Sequence, residues 1–262
     1  MTREMIIEEL VARGYKVTPQ DTIKNGVSCR GILFQMDSNI SPVVYVKSFI
    51  DEAKENKKCI DDVVENILAQ LEWMNTEISS LNLEKIEDKQ FILTHLYIGL
   101  QKESEEPLVK KACRLEGIES YLYIREGYYF IKLNETIMEK NGITVEEAWE
   151  NAEKNTFEET EIITMKGMFG CNVEGMCVVT NRDSIRGASA ILDSKKISEV
   201  AKKYGVNKLV CLPSSVHEMI IIPCKENEDK FLEFFSNMVA KVNQNEVEPE
   251  ERLTDQAYIL TI

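Results

Sequence analysis

The segment Leu212-Pro213-Ser214-Ser215-Val216-His217-Glu218 sets two hydroxyls, an imidazole and a carboxylate close together in the chain. An imidazole beside a hydroxyl can take the proton of an attacking oxygen, and a carboxylate on its other nitrogen orients it. Ser215 and His217 stand two apart, so an extended backbone would direct both to one side. Ser214, Ser215, His217 and Glu218 are therefore the candidate catalytic residues of a hydrolase-type site. Against that stand three observations. The groups are all local, whereas a triad gathers its members from separate elements. No G-x-S-x-G elbow is present. Ser-Ser after Pro is also ordinary turn chemistry.

A second polar segment, Asn181-Arg182-Asp183-Ser184-Ile185-Arg186-Gly187, could hold a small anion or a partner between two guanidinium groups. Asn181, Arg182 and Arg186 are the candidate binding residues, although a hairpin loop of this composition needs no ligand. Metal chemistry finds little support. His217-Glu218 does not extend to H-E-x-x-H, because Ile221 stands where the second histidine would be. His95 is the only other histidine, and Cys171 and Cys177 are too far apart for a zinc knuckle. There is no P-loop and no G-x-G-x-x-G, so nucleotide binding by those routes is not supported, and no metal or cofactor is expected. Met165, Met168 and Met176 read as core filler.

Composition narrows the partners. The chain has 262 residues, 44% of them hydrophobic, and a formal net charge of -14. That charge repels a phosphate backbone, so nucleic-acid contact would have to come from a local basic patch, and Arg182 with Arg186 is a thin one. The seven cysteines are scattered without a C-x-x-C pair, which suits a reducing compartment. Glu4 falls where a signal peptide would need a basic and then apolar run. No apolar stretch approaches the roughly 20 residues that span a bilayer. A cytoplasmic protein, off the membrane, is expected.

These segments have to be positioned by secondary structure, and a plan of strand, polar turn, strand and amphipathic helix recurs. It covers Ile32 to Met74, Tyr121 to Ala152, Cys177 to Tyr204 and Leu209 to Val242. In the first, Ile60, Val63, Val64, Ile67, Leu71 and Met74 form a helical stripe. In the second, Arg125-Glu126-Gly127 joins two aromatic, β-branched strands, and Thr144 with Glu147 marks a helix start. In the third, Met176 to Val179 is paired with Ala188 to Ile191. In the fourth, Leu209 to Leu212 is paired with Met219 to Ile222. Thr2 to about Arg13 reads as a helix and the residues from there to Gly31 as a polar loop, a helix is expected from Pro107 to Arg114, and Tyr258 to Leu260 reads as a last strand. The fold class is α+β: antiparallel sheets of repeated β-β-α units, with helices on one face. Residues 1–100 are expected as an N-terminal lobe and 101–262 as a C-terminal lobe of three such units. Units docked alike would bring hairpin turns to one edge: Asp37 to Ile40, Arg125-Glu126, Asn181 to Ser184 and Ser214 to His217.

Several of these segments resemble an uncharacterised family of anaerobic gut Firmicutes, some of whose members are labelled LtrC-like after a protein of conjugative elements. The resemblance is carried by Val178-Val179-Thr180-Asn181, by Gly187-Ala188-Ser189-Ala190-Ile191-Leu192 and by the run from Leu212 to Pro223. Asn155-Thr156, Met238-Val239 and Val242-Asn243 also match, with Phe157 standing where relatives are expected to carry Pro. The resemblance implies a cytoplasmic bacterial protein with a link to mobile DNA, and no known activity. The reading that absorbs most of these features is a non-catalytic binding module that meets a protein or small ligand through its hairpin turns. Its rivals are the Ser/His hydrolase and a nucleic-acid contact through Arg182 and Arg186.

Overall fold

The computed structural model describes residues 1–36, 41–80, 83–127, 129–165, 175–224 and 228–262, with the side chains of 77–80, 83–84 and 228–231 left aside. The turn expected at Asp37 to Ile40, with Met168 and Cys171, lies outside the described residues. Among those described, three antiparallel sheets and the helices around them make an α+β protein. No described helix is long and apolar enough to cross a membrane. The chain forms two compact units, Met1–Leu83 and Glu84–Ile262.

The first unit runs α1 (Arg3–Ala12), β1 (Val17–Lys24), β2 (Val27–Phe34), β3 (Val43–Tyr45), α2 (Lys47–Asn56) and α3 (Ile60–Ser80). Thr2 caps α1 by accepting the N–H of Met5. The expected polar loop before Gly31 is instead β1. It pairs with β2 from Val17↔Phe34 to Lys24↔Val27 around Asn25-Gly26, both at positive φ. Asn-Gly is a strong hairpin signal. The strand was hidden because β1 is exposed along most of its length and shows no apolar alternation. The stripe of α3 packs as expected, with Val63, Val64, Ile67 and Leu71 buried against Ile6, Leu10, Ile32 and Phe34.

The second unit runs α4 (Lys89–Thr94), β4 (Leu96–Lys102), β5 (Lys110–Ala112), β6 (Ile118–Glu126), β7 (Tyr129–Lys132), α5 (Glu135–Asn141), α6 (Val145–Glu158), β8 (Thr160–Thr164) and β9 (Cys177–Asn181). It continues with α7 (Ser194–Lys203), β10 (Lys208–Pro213), β11 (Met219–Cys224), α8 (Glu228–Glu246) and β12 (Tyr258–Thr261). The units part at Leu83/Glu84, ahead of the boundary expected at residue 100. β4 runs through residue 100 and pairs with β6 from Leu96↔Ile124 to Lys102↔Ile118, so a division there would cut a strand. The helix expected from Pro107 is also corrected, because Lys110–Ala112 pairs with β6 as β5.

In the four-stranded sheet β6 lies between β4 on one side and β5 and β7 on the other. One face buries Leu96, Ile98, Leu122 and Ile124 under α6, whose Thr144 cap accepts the N–H of Glu147 at 3.1 Å. Asn155, Thr156 and Phe157 all lie within α6.

The five-stranded sheet has the order β12-β10-β11-β9-β8. Its Leu209, Cys211, Met219 and Ile221 pack with Ile197, Val200 and Ala201 of α7. Val210, Leu212, Ile222 and Cys224 pack with Phe235 and Val239 of α8. Helices thus cover both faces of this sheet, where one-sided cover was expected. The continuous apolar run of β10 is the pattern of a strand buried on both sides. Each such side chain contributes about 1.5–3 kcal/mol. The strand expected at Ala188 to Ile191 is a 3₁₀ segment, Gly187–Leu192. Gly187 through Ile191 are all buried; Arg186 enters the segment in the left-handed conformation and Asp193 N–H donates to Ala190 O at 3.1 Å, so the backbone turns here instead of extending.

Candidate functional site

The site begins with alternation in β6. Glu119, Tyr121, Tyr123 and Arg125 are two apart; the first three lie opposite Gln101, Gly99 and Tyr97 of β4, and Arg125 lies opposite Phe130 of β7. Gly99 makes room for the Tyr121 ring, since a Cβ there would lie 2.5 Å from Tyr121 Cζ. Tyr121 and Tyr123 are 1% exposed, and burial raises both phenols above their ordinary range.

At one end of this face, burial disfavours the charge of Glu119. Hydrogen bonds from Gln101 (2.7 Å), Ser104 (2.8 Å) and Lys110 outweigh it and hold the carboxyl below its ordinary range. Lys132 donates to Gln101 Oε1 at 2.9 Å and pairs with Glu106 at 2.6 Å. At the other end, Glu159 accepts from Arg125 at 2.5 Å and from the Tyr97 hydroxyl at 2.9 Å. The Arg125 guanidinium also lies over the Tyr97 ring at 4.0 Å.

Three turns meet at that second end. Gly127, in the left-handed conformation (φ 56°), follows the last residue of β6. Arg125 reaches Asp183 in the loop after β9 at 3.5 Å. Asn181 shapes this loop from within, donating to Ile185 O at 2.8 Å and accepting Ile185 N–H at 3.1 Å. Arg186 is left-handed (φ 53°), and its guanidinium donates to the Tyr121 hydroxyl at 2.8 Å. Its backbone N–H donates to Nδ1 of His217, in the turn between β10 and β11, at 3.2 Å. Thr180 Oγ1 donates to His217 O at 2.8 Å. Arg182, Asp183 and Ser184 are exposed, and Arg182 points to the Glu158 carbonyl at 3.4 Å.

The His217 ring has a defined tautomer. A backbone N–H can only donate, so Nδ1 is bare and the proton sits on Nε2, which lies 3.2 Å from Glu251 Oε1. Glu251 comes from a 3₁₀ turn, Pro249–Glu251, and its carbonyl accepts Val216 N–H at 2.8 Å. Ser215 Oγ accepts the His217 backbone N–H at 3.0 Å, and Ser214 Oγ donates to Glu218 Oε1 at 3.3 Å. The four candidate catalytic residues are therefore adjacent, and His217 has a carboxylate from another element. Its two ring nitrogens meet Arg186 and Glu251, and neither serine. His95 stacks on Phe91 with centroids 3.9 Å apart, and its Nδ1 lies 2.9 Å from Phe91 O.

A scan of protein families matches residues 120–261 to DUF5688, a family of unknown function. The chain belongs to the DUF5688 family. The DUF5688 segment opens inside β6 and closes in β12, so it contains Tyr121, Arg125, Glu159, both polar loops and Glu251, while Tyr97 and Gly99 precede it. No curated protein and no solved structure matches the chain. Among the described residues no three His, Cys, Asp or Glu side chains gather as for a metal ion.

Reasoning from the sequence missed Arg125, Glu159, Tyr121 and Glu251. For β6 the signal was present as Glu119-x-Tyr121-x-Tyr123-x-Arg125, a polar and aromatic set on one side of a strand. Glu251 carried no local signal, lying 34 residues from His217.

Proposed function

We propose that the second unit is a non-catalytic binding module, and that it recognises a protein partner through the edge where its three turns meet. The observation that carries this reading is the commitment of both His217 ring nitrogens to groups other than a serine. A nucleophile needs its base free to take a proton, whereas a recognition surface benefits from groups fixed before contact. Arg182, Asp183 and Ser184 stand exposed on a loop held from below by Asn181, Arg186 and His217. An exposed rim suits a macromolecular surface better than an enclosed small molecule. The net charge of -14 disfavours nucleic acid. Buried single thiols at Cys177 and Cys211, the latter pushed up to about 12 by burial, fit a reducing cytoplasm. Glu251 beside His217 is the one feature that favours the hydrolase reading.

A photo-crosslinking residue placed at Arg182 or Ser184 in cells tests the proposal, with Lys202 of α7 as an exposed control position. A discrete protein adduct from 182 and 184, competed by excess unmodified chain and missing from 202, is expected. Equal adducts at all three positions, or none at the two loop positions, would contradict it.

A further inference from the structure

We infer that His217 is an acid-sensitive latch on the loop from Asn181 to Gly187. The inference rests on the proposed binding edge only for its consequence, since the latch itself is a matter of two hydrogen bonds. Arg186 occupies the left-handed region (φ 53°, ψ 27°), where a long side chain stays only if its surroundings hold it. Two sets of contacts do so: the guanidinium on the Tyr121 hydroxyl and over the Phe130 ring, and the backbone N–H on His217 Nδ1. The second exists only while Nδ1 is bare.

An imidazolium carries a proton on both nitrogens. Protonating His217 therefore turns its Nδ1 from an acceptor into a donor facing the Arg186 N–H. A ring flip offers no escape, because the other nitrogen is protonated too. Nε2–H meanwhile gains a charged partner in Glu251. Acid thus draws the ring toward the Pro249–Glu251 turn and releases it from the loop.

The other charged groups around the ring are engaged elsewhere. Arg186 points to Tyr121, Asp183 to Arg125, Arg182 to the Glu158 carbonyl and Glu218 to Ser214. Glu251 is the carboxylate on the ring itself, with Glu250 exposed beside it in sequence. The consequence for function is a binding edge that is ordered when His217 is neutral and loosened when it is charged.

Amide hydrogen exchange of Arg186 in the full chain tests this without any partner. Protection relative to an unstructured chain is followed from about pH 8 to about pH 5, the range in which imidazoles charge. Protection at Arg186 is expected to fall about tenfold, the order a single lost hydrogen bond carries, while Val210 in β10 stays level. His217→Gln keeps an acceptor that does not titrate, so it should hold the loop closed and abolish the step. A level Arg186 profile in the unmodified chain, or a step that survives His217→Gln, would overturn the latch. Either result leaves the crosslinking test at Arg182 unaffected.

Discussion

Replacing Gly187 by alanine should destabilise the second unit by about 3 kcal/mol, the upper range for forcing an extra carbon into a packed interior. A Cβ at this position would lie 2.3 Å from Thr180 Oγ1, 2.5 Å from Asn181 N and 2.9 Å from His217 O. Two of those atoms are backbone and cannot swing aside. The third, Thr180 Oγ1, already donates to His217 O at 2.8 Å. The added methyl would therefore push the loop after β9 away from the turn between β10 and β11, the contact on which the site depends. Gly142→Ala is the control. Gly142 is left-handed (φ 59°) with nothing within 4 Å of a Cβ, so only conformational strain of about 1 kcal/mol is expected. Urea unfolding followed through Trp149 in a Trp73→Phe background isolates the second unit. Equal losses for the two variants would show that the Gly187 contact is not tight.

The second large effect belongs to Arg125. Its side chain is 12% exposed and that of its partner Glu159 is 18% exposed. Arg125→Leu removes the cation and leaves the carboxylate largely out of water with the Tyr97 hydroxyl as a donor. Breaking a pair of this kind on one side costs about 3 kcal/mol. It also removes the stack on Tyr97 and the contact with Asp183. The double variant Arg125→Leu/Glu159→Leu should recover much of that loss, because no unpaired charge remains. The same unfolding measurement decides the matter. Losses that simply add would show that the two side chains are not energetically coupled.

The parts of the fold that could be read from sequence are those where one local rule and the tertiary packing agree. The α3 stripe, the Thr144 cap and the β10–β11 pairing each satisfy periodicity, capping or β-propensity without help from distant residues. β1 escaped because its side chains face water on both sides, leaving only the Asn-Gly turn as a signal. The 3₁₀ segment at Gly187 was read as a strand because Ala188-Ser189-Ala190-Ile191 is a short, mostly apolar run, and such a run does not distinguish a strand from a tight helical turn.

The candidate site was legible in part. His217, Asn181 and Arg186 stand out as polar groups between apolar strands, and three of the anticipated turns do meet. Their chemistry was not legible, because it depends on partners without a local signature. Nδ1 of His217 is held by a backbone N–H, which any residue at position 186 except proline could supply. Nε2 faces a glutamate on a short turn far along the chain. A local Ser-x-His pattern therefore looks like a nucleophile with its base, while the contacts built around it are those of a pinned loop.

The measurement that tests the central claim most directly is a long-range proton–nitrogen correlation spectrum of the His217 ring at mildly alkaline pH. The account predicts a neutral ring with the proton on Nε2, a bare Nδ1, and a coupling across the hydrogen bond from the Arg186 amide to Nδ1. A proton on Nδ1, with Nε2 accepting from a serine hydroxyl, would contradict it and return Ser214 and Ser215 to the place of a nucleophile.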